Sequence, residues 1–230
     1  MAKIVTKKKA ATQAITAWSF SRLTAYENCP LKFKLTVIDK LKEPTSPAME
    51  RGKNIHTQGE LFLKGTVAGV PESFKLLAVE MEDARVHAAE SELEVTFNKD
   101  WGITGWFEPD AWLRIKIDVL LRKDDTVRII DLKTGKNRGG YEDQLELYCL
   151  AALIMYPELD SVMAELWFVD SGEVIGTSHG DYKQKDVKKL KKKWENRAKP
   201  MFVDDVWAPR PNEYCGYCPF KKGAGNQCVF

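Results

Sequence analysis

Asp118, Asp131 and Lys133 are the residues of this chain whose types and spacing most directly imply chemistry. Asp118 lies in Lys116-Ile117-Asp118-Val119-Leu120-Leu121, and the other two lie in Val127-Arg128-Ile129-Ile130-Asp131-Leu132-Lys133. Both runs are rich in Val, Ile and Leu and read as strands, and the intervening Asp124 and Asp125 suit a tight turn. A two-residue turn pairs Lys123 with Thr126 and, counting back along both strands, sets Asp118 opposite Asp131. Directly opposed residues have Cβ atoms about 4.5–5.5 Å apart. Lys133, two residues on, shares the face of Asp131. Two buried carboxylates this close need a cation between them, and hard oxygen ligands suit Mg²⁺ or Mn²⁺. A neighbouring ammonium can orient a water or neutralise charge developing on a phosphate. The plain alternative is a solvated hairpin with surface ion pairs. Ile117, Val119, Ile129, Ile130 and Leu132 on both sides of the charges argue for burial instead.

The elements that must position this hairpin follow from pattern. Ser21 to Val37 reads as a helix with Ser19 or Ser21 as N-cap. Residues 48–64 and 72–90 read as two more helices, parted by Gly65, Gly69 and Pro71. Leu93, Val95 and Phe97 alternate with Glu92, Glu94 and Thr96, the pattern of a strand. A turn-rich connection over 101–110 precedes the hairpin at 111–121 and 126–133. A helix over 139–156, a strand over 162–169, a lysine-rich helix over 184–199 and an irregular cysteine-bearing tail complete the chain. Helices, then strands, a helix and a strand predict a mixed α/β (α+β) fold with a helix-flanked sheet. The expected organisation is a basic tail over 1–16 and one domain over 17–230. That domain divides into a helical part (17–91), a core (92–170) and a C-terminal helix and tail (171–230).

A chain of 230 residues, 44% hydrophobic and 30% charged, is ordinary for a globular protein with a real core. No apolar run approaches the roughly 20 residues that cross a bilayer, and the start is basic without an apolar stretch, so a cytoplasmic location and no membrane partner are expected. The net charge is only +2, so nucleic-acid affinity must come from local patches. Arg114 and Lys116 share the strand face of Asp118 and are placed to meet phosphates. In the late helix Val187, Leu190 and Trp194 form an apolar stripe, and Lys185, Lys188, Lys189, Lys191, Lys192 and Lys193 point outward. Such a run is usually a solvated face; Lys188 and Lys192 are the candidates in it for contact with a nucleic-acid backbone.

Cys29, Cys149, Cys215, Cys218 and Cys228 are the five cysteines. Cys215 and Cys218 have the C-x-x-C spacing that grips a metal from one turn, and Cys228 follows. Cys29, followed by proline as Cys218 is, is the best fourth ligand. Spacing alone leaves zinc and an iron–sulfur cluster both open. Cys149 lies among Leu147, Leu150 and Ala151 and reads as a core residue. His56 is one helical turn before Glu60; a lone histidine is more often structural than a ligand, and His87 and His179 have still less context. Gln144 and Tyr148, four apart, share a helix face.

At Asp118 and Asp131-Leu132-Lys133 the chain resembles the PD-(D/E)XK nuclease superfamily. Asp131-Leu132-Lys133-Thr134-Gly135, the Gln144/Tyr148 pair, Gly52 with His56, and Tyr26-Glu27-Asn28-Cys29-Pro30 resemble its RecB-like branch, in the same order, from about Ser19 to Cys228. Ile115 departs from the glycine usual three residues before the first aspartate. The resemblance implies Mg²⁺ or Mn²⁺ on Asp118, Asp131, the Leu132 carbonyl and His56, with Lys133, Gln144 and Tyr148 serving catalysis. It implies a deoxyribonuclease of DNA recombination and repair, acting as an exonuclease on single-stranded DNA or DNA ends and leaving 5′-phosphate and 3′-hydroxyl termini. Cys29, Cys215, Cys218 and Cys228 match the pattern that holds a structural [4Fe–4S] cluster in AddB-type and small CRISPR-associated nucleases. Two other classes stand beside this one. A non-catalytic nucleic-acid-binding or adaptor subunit is opposed by the presence of both carboxylates and Lys133. A zinc-stapled binding module is distinguished by colourless, zinc-bearing protein.

Overall fold

The computed structural model describes residues 15–123, 126–178, 180–225 and 227–230. Most of the expected basic tail, the turn residues Asp124 and Asp125, and His179 lie outside the described residues. In chain order the elements are α1 (Phe20–Asn28), α2 (Pro30–Phe33), α3 (Pro47–Leu63), α4 (Ala78–Val86), β1 (Glu90–Phe97), β2 (Ile103–Thr104), β3 (Leu113–Lys123), β4 (Thr126–Lys133), α5 (Glu142–Met155), β5 (Ser161–Phe168), β6 (Glu173–Gly176), β7 (Tyr182–Lys183) and α6 (Val187–Val203). The chain divides into two compact units, one of residues 45–197 and one joining residues up to Pro44 with Ala198–Phe230.

The larger unit is built on a mixed sheet of order β2-β1-β3-β4-β5-β6, with β7 pairing β5. β3 and β4 are antiparallel with Val119 opposite Ile130 and Lys123 opposite Thr126, the register expected from a two-residue turn. The ladder stops at Val119 and Ile130, and the next residues inward are Asp118 and Asp131. β4 then pairs in parallel with β5, Asp131 beside Leu166 and Lys133 beside Phe168. A parallel pair needs a long crossover, and α5 supplies it. Nine of the α5 residues are buried, including Gln144, Tyr148 and Cys149. Ile55 and Phe62 of α3 and Met81 of α4 join Val119, Ile130, Leu132 and Trp167 in one apolar cluster. The sheet is thus flanked by helices, as the sequence pattern predicts. Ile115, the residue standing where the family has glycine, is 4% exposed and packs as an ordinary strand residue.

Several elements differ from expectation for local reasons. The helix expected over 21–37 is interrupted at Cys29, which adopts an extended conformation (φ −160°, ψ 103°). The residue before a proline is pushed out of the helical region, and Pro30 then opens α2 at a position where its missing N–H costs nothing. Ser19 is the N-cap of α1, accepting from the Arg22 N–H at 3.3 Å. The helix expected over 72–90 is a 3₁₀ stretch, Glu72–Leu77, followed by α4, and Glu90 already belongs to β1. β6 and β7, too short and polar to stand out in the sequence, complete the sheet edge. No helix among the described residues is long and apolar enough to cross a membrane.

In the smaller unit Phe33 stacks on Trp207 at 6.0 Å, and Tyr26 meets both rings edge-on. The Tyr26 hydroxyl donates to Asp204 Oδ2 at 3.0 Å. Burial, followed by that carboxylate, pushes the Tyr26 hydroxyl up to about 12.

Candidate metal centre

Where the β3–β4 ladder ends, Asp118 turns its carboxylate toward the freed backbone. Its Oδ2 accepts the Leu132 N–H at 2.8 Å. The other oxygen, Oδ1, lies 3.2 Å from His56 Nδ1 on α3. Glu92 of β1 also reaches this point, with Oε1 4.0 Å from the same nitrogen. One donor atom each from His56, Glu92 and Asp118 lies within 4.8 Å of the others. These three residues, with Gly52, Lys53, Thr57, Glu60 and Lys116, line a cleft of about 420 Å³.

Glu92 is not among the ligands the sequence suggests. In the β1–β3 register Ser91 faces Val119 and Leu93 faces Ile117, which leaves Glu92 and Asp118 opposite each other without ladder bonds. The Glu92 backbone has φ +56°, a region that costs a non-glycine residue on the order of 1–3 kcal/mol. Nothing in the residue type announces this: strand alternation marks Glu92 only as polar. Its second carboxylate oxygen is held by the Lys116 ammonium.

Asp131 is gripped on both oxygens. Oδ1 accepts from the Tyr148 hydroxyl at 2.7 Å and from Gln144 Nε2 at 3.0 Å, and Gln144 also donates to the Tyr148 oxygen at 2.9 Å. Oδ2 is 2.6 Å from Lys133 Nζ. The carboxylate pair, the ammonium and the Gln144/Tyr148 pair therefore meet in one place. The Leu132 backbone enters through its N–H, as the donor to Asp118.

The electrostatics reflect crowding of negative charge in a poorly hydrated place. Burial raises the Asp118 pKa, and the nearby Asp131 charge adds to the rise. The hydrogen bond to Asp118 raises that of His56, and Glu92 raises that of Lys116. Tyr148 is driven well above its ordinary value by burial and then by Asp131, so it is a fixed hydrogen-bond donor. An imidazole and carboxylates converging on one point, with ionisation of Asp118 disfavoured in the absence of a cation, fit a divalent metal ion.

A second tie lies beside the first. Asp170, just after β5, accepts from Arg51 Nη1 at 3.1 Å and from the Gly135 N–H at 2.6 Å. It thereby joins the start of α3, which carries His56, to the loop after Lys133. Among the expected basic contacts, Arg114 and Lys116 precede Asp118 along β3, while Lys188 and Lys192 are exposed on α6. Of the six lysines expected to point outward, Lys185, Lys188, Lys189, Lys192 and Lys193 are exposed, Lys193 while pairing with Asp143 and Glu146, and Lys191 is half-buried over Trp101. Trp101, in the connection between β1 and β3, draws Lys191 in.

In the smaller unit Cys29, Cys215, Cys218 and Cys228 line one cavity of about 370 Å³. All are free and partly exposed, whereas Cys149 is free and buried, its thiol pushed up to about 12 by burial. The 3₁₀ turn Glu213–Tyr217 carries Cys215, whose sulfur accepts the Asn212 N–H at 3.3 Å. Asn212 Nδ2 donates to the Asn28 carbonyl at 2.9 Å, tying the tail to the backbone beside Cys29. Among the described residues no three of these sulfurs lie within 4.8 Å of one another. A tetrahedral zinc with bonds of about 2.3 Å would hold its sulfurs about 3.8 Å apart.

The family model of the PD-(D/E)XK nuclease superfamily matches residues 17–222. Among solved structures the chain is similar to the crystal structure of SSO0001, at 16% identity and a TM-score of 0.46, over 97% of this chain and 88% of that one. No curated protein matches it.

Proposed function

The chain belongs to the PD-(D/E)XK nuclease superfamily, whose members are mostly metal-dependent nucleases acting on nucleic acid, and we propose that it is a Mg²⁺- or Mn²⁺-dependent deoxyribonuclease of the RecB-like branch. The observation that carries this is the convergence of Asp118, Asp131 and Lys133 at the point where β3 and β4 part, with His56 and Glu92 beside them. His56, Glu92 and Asp118 would hold the ion, with Asp131 adjacent. A bound divalent ion supplies Lewis-acid polarisation of the scissile phosphate.

The chain's own groups then have distinct tasks. Lys133, set by Asp131, stabilises the charge that builds on the phosphate oxygens as water adds and the 3′ oxygen departs with a proton. Tyr148 and Gln144 fix the Asp131 carboxylate and hence the ammonium of Lys133. The Asp170 tie keeps the loop after Lys133 registered with α3. Lys116 and Arg114 on β3, and Lys188 and Lys192 on α6, are the proposed phosphate contacts. The products are 5′-phosphate and 3′-hydroxyl ends, and the proposed substrate is single-stranded DNA or a DNA end, degraded as an exonuclease in the cytoplasm.

The smaller unit is proposed to hold a [4Fe–4S] cluster on Cys29, Cys215, Cys218 and Cys228. Their shared cavity supports this. Fluorescent DNA incubated with Mn²⁺, with chelator, and with the Asp131→Ala protein tests the catalytic reading. Iron content per chain tests the cluster.

A further inference from the structure

Among the described residues, Arg114 is a guanidinium without a carboxylate partner. In β3 the buried Leu113, Ile115, Ile117 and Val119 alternate with Arg114, Lys116 and Asp118, so these three lie along one side of the strand. Strand rise places Lys116 about 7 Å and Arg114 about 14 Å from Asp118. Lys116 is paired with Glu92. Among the described residues no carboxylate pairs with Arg114, and its buried Nε has no hydrogen-bond partner. Its guanidinium instead lies 5.6 Å from the centre of the Trp106 ring.

Trp106 belongs to the connection between β1 and β3, and its neighbour Phe107 is 88% exposed, so that ring stands bare in solvent. The connection is ordered by Glu108 N–H to the Gly105 carbonyl at 3.2 Å and Ala111 N–H to the Glu108 carbonyl at 3.0 Å. The loop's Asp110 is engaged within the connection, accepting from Thr104 at 2.8 Å and Asn98 at 3.4 Å. Two adjacent aromatic rings, one half-buried under a free guanidinium and one bare, therefore end a row of cations that starts at the metal centre.

We propose that Trp106 and Phe107, with Arg114, form a base-stacking platform for single-stranded nucleic acid running along β3 from the cleavage site. This rests on the nuclease reading of the Asp118 site and names how that site receives its strand. Arg114 takes a backbone phosphate a few nucleotides from the scissile one, and the rings stack on bases. Stacking is indifferent to sequence because every base has a π-face, and it needs unpaired bases. A duplex offers phosphates to Arg114 and Lys116 and nothing to the rings.

The test uses the full chain in chelator with a fluorescent oligo-dT of roughly 15 nucleotides, the upper range of single-strand site sizes, and a matched duplex. Trp106→Ala and Phe107→Ala are each expected to weaken oligo-dT binding by about fivefold or more and duplex binding by less. Phe107→Ala serves as the safeguard variant, since a bare side chain contributes little to folding. With Mn²⁺, the loss of turnover on oligo-dT should exceed any loss on bis(4-nitrophenyl) phosphate, which is too small to span the distance. Oligo-dT affinity within twofold of wild type in both variants overturns the platform, as does equal weakening for duplex and single strand. A wild-type chain that binds oligo-dT through these rings and hydrolyses nothing keeps the platform and removes the nuclease reading.

Discussion

Asp118 and Leu132 are joined across the mouth of the split hairpin by a hydrogen bond of 2.8 Å from the Leu132 N–H to the Asp118 carboxylate. The bond takes over from the strand ladder where β3 and β4 part, so one carboxylate both closes the sheet and faces the metal cleft. The two roles separate by substitution. Asp118→Asn keeps an acceptor for Leu132 and removes a charge whose ionisation burial disfavours, so in chelator it should be as stable as wild type or more so. Asp118→Ala leaves the Leu132 N–H unpaired, at about 1–3 kcal/mol. Denaturant unfolding distinguishes them; equal stability of the two variants would remove the structural role. Neither should cleave DNA.

Glu92 holds a strained backbone for the sake of where its carboxylate points. Glu92→Gly should raise stability in chelator by about 1 kcal/mol relative to Glu92→Gln, which keeps the strain and loses the charge. Both should shrink the rise in Tm that Mn²⁺ gives the wild type. An undiminished Mn²⁺ shift in both variants would exclude Glu92 from the centre.

The hairpin is legible in the sequence because a two-residue turn admits few registers and the aliphatic runs on either side fix which one. The Gln144/Tyr148 pairing is legible from helical spacing, and the resemblance implies a role for it in catalysis, but its target, Asp131, is not legible in the sequence. Glu92 is not legible. Its positive φ sits on a residue type that gives no cue, and the alternation of β1 marks it as one more polar position. The pattern around Cys29 suggests mid-helix although Pro30 is in plain view; the apolar spacing on both sides outweighs the one residue that breaks it. Asp170 carries no signal at all, because its partners are a backbone N–H and an arginine 119 residues away.

Asp170 is a pH-sensitive tie. Arg51, and then the Gly135 N–H, hold its pKa below the ordinary 3.8. Its contribution is therefore present above the ordinary carboxylate range and is lost as pH falls through the lowered value. Asp170→Asn should flatten that acid limb of the stability profile and slow cleavage on the order of tenfold by loosening Lys133, with little change in KM. A large KM change with intact kcat would assign Asp170 to substrate binding instead.

Freshly purified protein should be brown and carry iron. Substituting Cys29, Cys215, Cys218 or Cys228 with Ala should bleach it and lower stability, since metal binding across distant segments couples to folding. Cys149→Ala should leave the colour intact and cost only core packing. In folded protein Cys149, with its thiol pushed up to about 12, should resist alkylation near neutral pH, and the other four should become reactive once iron is stripped. Stoichiometric zinc with no iron would replace the cluster with a zinc staple.

The most direct test of the catalytic centre is the rate at which the wild type and Lys133→Ala release nucleotides from single-stranded DNA, each with Mn²⁺ and with chelator. The account predicts cleavage by the wild type only when Mn²⁺ is present, and a rate at least about 100-fold lower in Lys133→Ala with folding unchanged. Cleavage that persists in chelator, or that proceeds at the wild-type rate without Lys133, would contradict it.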